Sequence, residues 1–251
     1  MLQTNETLDE VNEQIRLIQR KDGLRYGTDA YLLSAYVRPA STACAVDLGS
    51  GSGIIPLLCL TKGKYARAYA VEVQKDFADI IGRNAEINGM QDRLFPICAD
   101  LRELTAAHVG GQVSIVTANP PYMKTGAGKR NESDAKYLAR HEVMGDVDDF
   151  CAAAARLLKH GGSFYVVWRP DRLSELMQSL CLHKLEPKRM SFVQSDVNKE
   201  PSMVLIEAKK GGAHGLRLSP TLILSENGVQ SKRVQQIYQT CSWSESDLWS
   251  I

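Results

Sequence analysis

The amino-acid sequence predicts an α/β fold with an open, mostly parallel sheet of seven strands, helices on both faces, and an antiparallel last strand. From Cys44 onward, short apolar runs of strand type alternate with helical patterns, which is typical of βαβ units in a covered parallel sheet. The last two such runs, at residues 188–194 and 203–209, are joined by the short segment 195–202. A connection of this length predicts an antiparallel pair of strands.

The composition is that of an ordinary globular protein. The chain has 251 residues, 44% of them hydrophobic, and a formal net charge of +1, so its overall charge does not indicate a nucleic-acid-binding protein. The polar N-terminus does not resemble a secretion signal, and no apolar run approaches the length of a membrane span. We therefore expect a cytoplasmic protein that does not contact a membrane. The six cysteines form no C-x-x-C pair, which predicts reduced thiols and no metal site.

Two short extensions flank the predicted sheet. Before the first strand, the apolar spacing within residues 9–19 predicts an amphipathic helix. After the last strand follow a glycine-rich stretch, one more apolar run at 218–224, and a helical pattern at 229–239. We therefore predict one compact unit that consists of an N-terminal extension (1–43), a core domain (44–210) and a C-terminal strand and helix extension (211–251).

The first strand of the core ends in a glycine-rich loop with the pattern D-x-G-x-G-x-G, formed by Asp47, Gly49, Gly51 and Gly53. Glycines at every second position permit a tight turn and let a ligand approach the backbone. The pattern differs from the G-x-G-x-x-G that binds the pyrophosphate of a dinucleotide. Asp47 would repel an anion, but not a ligand that carries an ammonium or a sulfonium. The loop therefore predicts a binding site for such a ligand.

Acidic residues end the next two predicted strands. Glu72 lies 23 residues after Gly49, at the position where a carboxylate can accept hydrogen bonds from both hydroxyls of a ribose. Asp100 ends the third strand, where an aspartate is also a common helix cap. In an open parallel sheet, ligands bind beyond the carboxyl ends of the strands, which is the edge that both residues occupy.

The fourth strand ends in Asn119-Pro120-Pro121-Tyr122. Taken alone, this sequence is an ordinary turn, but the fourth strand is expected to adjoin the first, where the order of strands reverses and ligands bind. The Asn119 side-chain oxygen and the Pro120 carbonyl can each accept one N–H of a planar amine, which favours a tetrahedral nitrogen with a free lone pair. The two prolines fix the backbone, and Tyr122 offers a ring for stacking.

These motifs resemble those of known enzymes. The glycine loop resembles motif I of the class I S-adenosylmethionine-dependent methyltransferases, and Asn-Pro-Pro-Tyr resembles motif IV of the members that methylate amino groups. The resemblance implies a Rossmann-like domain, S-adenosylmethionine as cofactor and S-adenosylhomocysteine as product. It implies that Asn119, Pro120 and Tyr122 are catalytic, that Pro121 contacts the substrate, and that Asp100 lies near the adenine of the cofactor. The implied cofactor-binding residues are Thr28, Asp47, Gly49, Gly51, Gly53, Glu72, Asp100 and Asn119.

Longer stretches resemble the bacterial tRNA1(Val) adenine-N6 methyltransferase family. The matching pieces include residues 15–36, 46–58, 157–167 and 206–212. The resemblance implies methyl transfer to N6 of the adenine next to the anticodon, with the anticodon arm of tRNA as partner. It also implies that residues 27–30 fold over the cofactor, so that Thr28 and Asp29 are candidate contacts.

Three alternatives to this function stay open. Guanine-N2 methylation of rRNA uses the same two motifs. The glutamine methyltransferases of release factors are less favoured, because their helical N-terminal domain is longer than the 43 residues that precede the first strand here. A non-catalytic RNA-binding relative is a further alternative, although intact Asn119 argues against it.

Basic residues offer candidate contacts with RNA. Lys124, Arg130 and Arg140 follow the Asn-Pro-Pro-Tyr motif, either as contacts to RNA phosphates or as part of a solvated loop. A second group near the sixth and seventh strands would extend a track for the anticodon arm. This group comprises Lys184, Lys188, Arg189, Lys209 and Lys210.

Overall fold

The computed structural model describes residues 2–22, 25–121 and 145–243. Twelve strands and six α-helices lie within these ranges. The strands are β1 (Glu6–Asn12), β2 (Ile15–Arg20), β3 (Cys44–Leu48), β4 (Arg67–Glu72), β5 (Leu94–Cys98), β6 (Val113–Ala118), β7 (Leu158–Trp168), β8 (Leu185–Asp196), β9 (Pro201–Lys210), β10 (Arg217–Leu218), β11 (Leu222–Glu226) and β12 (Val229–Gln230). The helices are α1 (Thr28–Tyr36), α2 (Ile54–Thr61), α3 (Lys75–Ile87), α4 (Val147–Leu157), α5 (Leu173–Leu182) and α6 (Lys232–Thr240).

The main sheet has the strand order β12-β11-β8-β9-β7-β6-β3-β4-β5, and β10 also pairs with β8. Strands β3 to β7 are parallel, whereas β9 is antiparallel to both of its neighbours, β7 and β8. The seven strands from β3 to β9 therefore confirm the predicted fold, including its antiparallel last strand. The C-terminal extension adds β10, β11 and β12 at the outer side of β8.

The order of the strands reverses at β3, which lies between β4 and β6. Strands β3 and β6 run side by side, with Asp47 opposite Thr117 and Leu48 opposite Ala118. In an open parallel sheet, ligands bind beyond the carboxyl ends of the strands at such a reversal. The glycine loop after Leu48 and the prolines after Ala118 therefore begin next to each other.

Apolar layers on both faces hold the sheet between its helices. Along β3, Ala45 belongs to one layer and Val46 to the other, as the alternation of side chains in a strand requires. The first layer includes Leu57 of α2, and the second includes Phe150 of α4. None of the helices in the described ranges is long and apolar enough to cross a membrane.

The N-terminal extension contains a β-hairpin, so the helix predicted over residues 9–19 is wrong. Strands β1 and β2 pair antiparallel, and the Asn12 side chain accepts a hydrogen bond from the Gln14 N–H (2.9 Å) in the turn. The apolar spacing is ambiguous, because Ile15 and Ile18 are spaced as on a helix, whereas Ile15 and Leu17 are spaced as on one face of a strand. All three side chains are buried.

The side chains of Asn84 in α3 and of Asn88, the residue that follows α3, occupy the free edge of β2. Asn84 accepts a hydrogen bond from the Ile18 N–H (2.7 Å) and donates to the Ile18 carbonyl (3.0 Å). One turn later, Asn88 accepts from the Arg16 N–H (3.0 Å) and donates to the Arg16 carbonyl (2.7 Å). Asn84 also donates to the carbonyl of Ser52 in the glycine loop (2.9 Å). The two amides therefore join the hairpin to α3 and to the loop.

A buried lysine, Lys64, caps the C-terminal end of α1. Lys64 is 3% exposed, and its ammonium donates to the carbonyls of Ser34 (2.6 Å), Ala35 (2.8 Å) and Val37 (2.8 Å). The last carbonyls of a helix lack partners within the helix, and they form the negative end of its dipole. The Lys64 ammonium therefore stabilises α1 at this end through three hydrogen bonds.

Replacing Lys64 with methionine is expected to lower the free energy of unfolding by about 3 kcal/mol, because buried carbonyls lose their donor. Urea denaturation followed by circular dichroism measures this change. Lys62→Met is the matched control, since the Lys62 ammonium contacts Gln14 at the surface (3.3 Å). Equal losses of stability in the two variants would contradict the role of Lys64.

Candidate active site

The glycine loop between β3 and α2 lies against the carboxyl end of the sheet. Gly49, Gly51 and Gly53 have φ angles of 66°, 57° and 82°, in the left-handed region that favours glycine. The Ser50 N–H donates to the Val71 carbonyl (3.0 Å), which attaches the loop to β4. A Cβ added at Gly51 would meet nothing within 4 Å. The backbone at Gly51 is therefore accessible to a ligand.

Glu72, the last residue of β4, is bonded to this loop. Its Oε2 accepts a hydrogen bond from the Gly51 N–H (3.0 Å), and its Oε1 accepts one from the Gln74 N–H (3.0 Å). A carboxylate has about four acceptor positions, so each oxygen keeps capacity for a further donor. A cleft beside Glu72 separates the end of β4 from the residues after β5. It is lined by Gly49, Val71, Glu72, Val73, Ala99, Asp100 and Leu101.

Asp100 borders the cleft just after β5, and it forms an ion pair with Arg102. The Arg102 guanidinium contacts both carboxylate oxygens, with Nε at 2.9 Å from Oδ1 and 3.0 Å from Oδ2. The hydrogen bond from Arg102 lowers the pKa of Asp100 below its usual range. Asp100 therefore offers an ionised carboxylate to the cleft, and a ligand held there shares it with Arg102.

Asp47 lies beneath the loop instead of facing an open site. It is 1% exposed, its Oδ1 accepts a hydrogen bond from the Thr117 hydroxyl (2.5 Å), and its Oδ2 accepts one from the Ser50 hydroxyl (2.5 Å). Burial raises the pKa of Asp47 to about 7, although both hydroxyls act in the opposite direction. The carboxylate joins β3, β6 and the loop, so we propose that Asp47 supports the cofactor site through the loop and not by direct contact.

Asn119 follows β6 and carries a buried acceptor. Its Nδ2 donates to Oδ2 of Asp29 (2.9 Å). Its Oδ1 is buried, and no donor among the described residues reaches it. A buried polar atom without a partner costs free energy unless a ligand supplies the missing hydrogen bond. Since Asn119 lies next to the glycine loop, its Oδ1 is a candidate acceptor for an N–H of a substrate.

The N-terminal and C-terminal extensions meet beside Asn119. Thr28 and Asp29 form the first turn of α1. The Tyr238 hydroxyl of α6 donates to the Thr28 Oγ1 (3.3 Å), and the carboxylate of Asp29 contacts Asn119 as described. Residues 27–30, which the sequence predicts to fold over the cofactor, therefore contact Asn119 at the end of β6.

Several predicted site residues lie outside the described ranges. They are Tyr122, Lys124, Arg130 and Arg140, whose roles stay predictions. Of the Asn-Pro-Pro-Tyr motif, the structure describes Asn119, a buried Pro120 and a half-buried Pro121. Within the described residues, no three His, Cys, Asp or Glu side chains are grouped so that they could hold a metal ion.

Comparison with known families decides the class of protein. The family model for the methyltransferase small domain matches residues 21–185, which is more than half of the chain. The chain belongs to this methyltransferase family. The enzyme is therefore a methyltransferase, and the cleft, the glycine loop and Asn119 lie at the edge of the sheet where its site is expected.

Individual relatives agree with this assignment, and one solved structure agrees with the fold. A tRNA1(Val) (adenine(37)-N6)-methyltransferase from Phocaeicola vulgatus is 26% identical over 201 residues, which cover 78% of this chain and 82% of that protein. A protein of the same name from Aeromonas hydrophila is 26% identical over 226 residues, 90% of this chain and 93% of that protein. The structure of a predicted O-methyltransferase from Agrobacterium tumefaciens has a TM-score of 0.69 at 19% identity, and it covers 86% of this chain and 98% of that chain. This last likeness shows the fold.

The second basic group, which the sequence predicts to extend an RNA track, lies at the edge of the methyltransferase sheet opposite to the glycine loop and Asn119. Lys209 pairs with Ser163 near the start of β7, at the amino edge. Lys184 and Lys188 lie at the same edge, where β8 begins, and Arg189 is only 3% exposed. The physical reason is the direction of β9, which carries its last residues, including 210, away from the carboxyl ends of β3 and β6.

Three contacts at the methyltransferase site were missed by reasoning from the sequence. They are Asp29 with Asn119, Thr117 with Asp47, and Asn84 with Ser52. The last two contacts have a weak signal in the sequence, because a polar residue stands where an apolar one would pack. Thr117 interrupts an apolar strand, and Asn84 lies on the buried side of an amphipathic helix.

The raised pKa of Asp47 predicts how the stability of the methyltransferase changes with pH. A carboxyl whose pKa is higher in the folded state binds its proton more tightly there, so stability falls as the pH rises from 3.8 to about 7. Between pH 5 and pH 8, the wild type is expected to lose about 2 kcal/mol of unfolding free energy relative to Asp47→Asn, which cannot ionise. Urea denaturation of both proteins across this range measures the difference. A difference that is independent of pH would contradict a buried, titrating Asp47.

Proposed function

We propose that the chain is an S-adenosylmethionine-dependent methyltransferase that methylates N6 of an adenine in tRNA, next to the anticodon. The observation that carries this proposal is the buried Oδ1 of Asn119, which has no donor among the described residues and lies beside the glycine loop. An acceptor in this position fits a substrate that brings an N–H. The choice of adenine N6 is supported by the names of the two relatives, which specify adenine 37 of tRNA1(Val).

The residues around the cleft fit the proposed cofactor. The hydroxyls of a ribose are donors, and the two oxygens of Glu72 have acceptor capacity at the cleft. The open space at Gly51 lets a ligand approach the loop, and Asp100 provides a further carboxylate. These residues would hold S-adenosylmethionine, with Gly49 and Gly53 shaping the loop. When bound, the cofactor supplies a methyl group on a positively charged sulfur.

The protein's part in the reaction is to prepare the nitrogen of the substrate. The amine of adenine is a weak nucleophile, because its lone pair is delocalised into the ring. The Asn119 Oδ1 and the Pro120 carbonyl would each accept one N–H, which favours a tetrahedral nitrogen whose lone pair points away from both acceptors. The prolines at 120 and 121 fix the backbone that carries the carbonyl. No strong base is needed, since the nitrogen becomes acidic once it has received the methyl group.

Nucleoside mass spectrometry of RNA from cells that lack the gene tests this function. The tRNA is expected to lose N6-methyladenosine next to the anticodon, and the wild-type gene is expected to restore it. Asn119→Ala is expected to fail to restore it, because the acceptor for the amine is removed. Calorimetry is expected to show nearly unchanged binding of S-adenosylmethionine by this variant, since the cleft beside Glu72 is intact.

Mass spectrometry and calorimetry together separate two of the alternatives. Loss of N2-methylguanosine from rRNA, with tRNA unchanged, would contradict adenine N6 and identify the guanine alternative. Failure of the wild-type protein to bind S-adenosylmethionine would contradict the proposed cofactor and favour a non-catalytic relative.

A further inference from the structure

Asp29 contacts Asn119, the side chain that accepts an N–H of the substrate in the proposed function. Its Oδ2 accepts a hydrogen bond from Nδ2 of Asn119 (2.9 Å), and its Oδ1 accepts one from the backbone N–H of Ala30 (2.9 Å). Gly27, two residues before Asp29, leaves room for this arrangement, because a Cβ added at Gly27 would lie 2.8 Å from the Asp29 Oδ1. The carboxylate therefore folds back onto its own turn while it holds Asn119.

This contact determines which way the Asn119 amide faces. A carboxylate only accepts hydrogen bonds, so the amide nitrogen must turn toward Asp29 and the amide oxygen must turn away from it. The oxygen that turns away is the buried Oδ1 that has no donor among the described residues. If the amide were rotated, its N–H groups would face the N–H groups of an amine, and the two donors could not bond.

We propose that Asp29 is a positioning residue that fixes the Asn119 amide, so that only an acceptor faces the nitrogen that receives the methyl group. This role rests on the proposed function and deepens it, because it restricts the site to substrates that bring an N–H. It also assigns the N-terminal extension a part in preparing the acceptor, beyond any contact with the cofactor.

Asp29 is suited to this role because α1 is anchored at both ends. At the first turn, the Tyr238 hydroxyl donates to Thr28 (3.3 Å). One turn later, the Tyr31 hydroxyl donates to the Tyr238 carbonyl (2.7 Å), and the two tyrosine rings lie 4.5 Å apart. At the last turn, the Lys64 ammonium binds three carbonyls. A group that orients a reacting side chain needs a support of this rigidity.

Kinetics of variants at position 29 test the proposal. Asp29→Ala is expected to lower kcat about 10- to 100-fold, because the amide of Asn119 loses its orientation, while the Kd for S-adenosylmethionine stays nearly unchanged. Asp29→Asn is expected to recover most of kcat, since its side-chain carbonyl can still accept from Asn119. Glu175→Ala is the matched control, because it removes a carboxylate from the first turn of α5 that pairs with Arg172. Its kcat is expected to equal that of the wild type.

Two kinetic outcomes would overturn the proposal. One is a wild-type kcat in Asp29→Ala. The other is a loss of cofactor affinity as large as the loss of kcat, since Asp29 would then act on the cofactor and not on Asn119.

The side-chain amide of Asn119 gives a readout that needs no RNA. In nitrogen-15 NMR spectra, the signals of the two amide protons of Asn119 are identified because they are missing from the spectrum of Asn119→Ala. These protons are expected to exchange slowly with solvent in the wild type and faster in Asp29→Ala, because the carboxylate that holds them is gone. Unchanged exchange would overturn the positioning role. If exchange responds as expected but the wild type methylates no tRNA, the positioning role is supported and the proposed substrate fails.

Discussion

The hydrogen bonds of the buried Asp47 carboxylate hold the two halves of the site together. Removing a carboxylate from water is costly, and the hydroxyls of Thr117 and Ser50 offset part of that cost. These donors belong to β6 and to the glycine loop, so one side chain fixes the loop relative to the strand that leads to Asn119. The loop would contact the cofactor and Asn119 would contact the substrate, and methyl transfer depends on the distance and direction between the two.

The two extensions complete this site from outside the core sheet. The N-terminal hairpin is bonded to α3 through Asn84, which also reaches the glycine loop, and through an ion pair between Glu6 and Arg83. The helix that follows the hairpin brings Asp29 to Asn119, and α6 from the C-terminal extension supports that helix through Tyr238. Segments far apart in the sequence therefore determine the orientation of one amide.

Parallel strands bring their carboxyl ends to one edge of a sheet, and the sequence predicts from this rule which strand ends lie together. That rule is enough to predict that the glycine loop, Glu72 and Asn119 lie at one edge of the sheet. The rule does not predict that Asp47 is buried, because its carboxylate accepts a hydrogen bond from the hydroxyl of Thr117 in the neighbouring strand, 70 residues away. The sequence also does not predict the hairpin. The backbone groups at the free edge of β2 form hydrogen bonds with Asn84 and Asn88, and no local pattern indicates partners that lie 66 and 72 residues away. The position of Lys209 follows from the predicted fold. Lys209 lies near the end of an antiparallel strand, which ends at the edge of the sheet opposite to the carboxyl ends of β3 and β6.

A crystal structure of the chain with S-adenosylhomocysteine and an RNA that contains the target adenine tests the central claim most directly. We expect the exocyclic nitrogen to lie about 3 Å from both the Asn119 Oδ1 and the Pro120 carbonyl oxygen, with the Asn119 Nδ2 still bonded to Asp29. An exocyclic nitrogen bound away from Asn119, or an Asn119 that turns its Nδ2 toward the substrate, would contradict the claim.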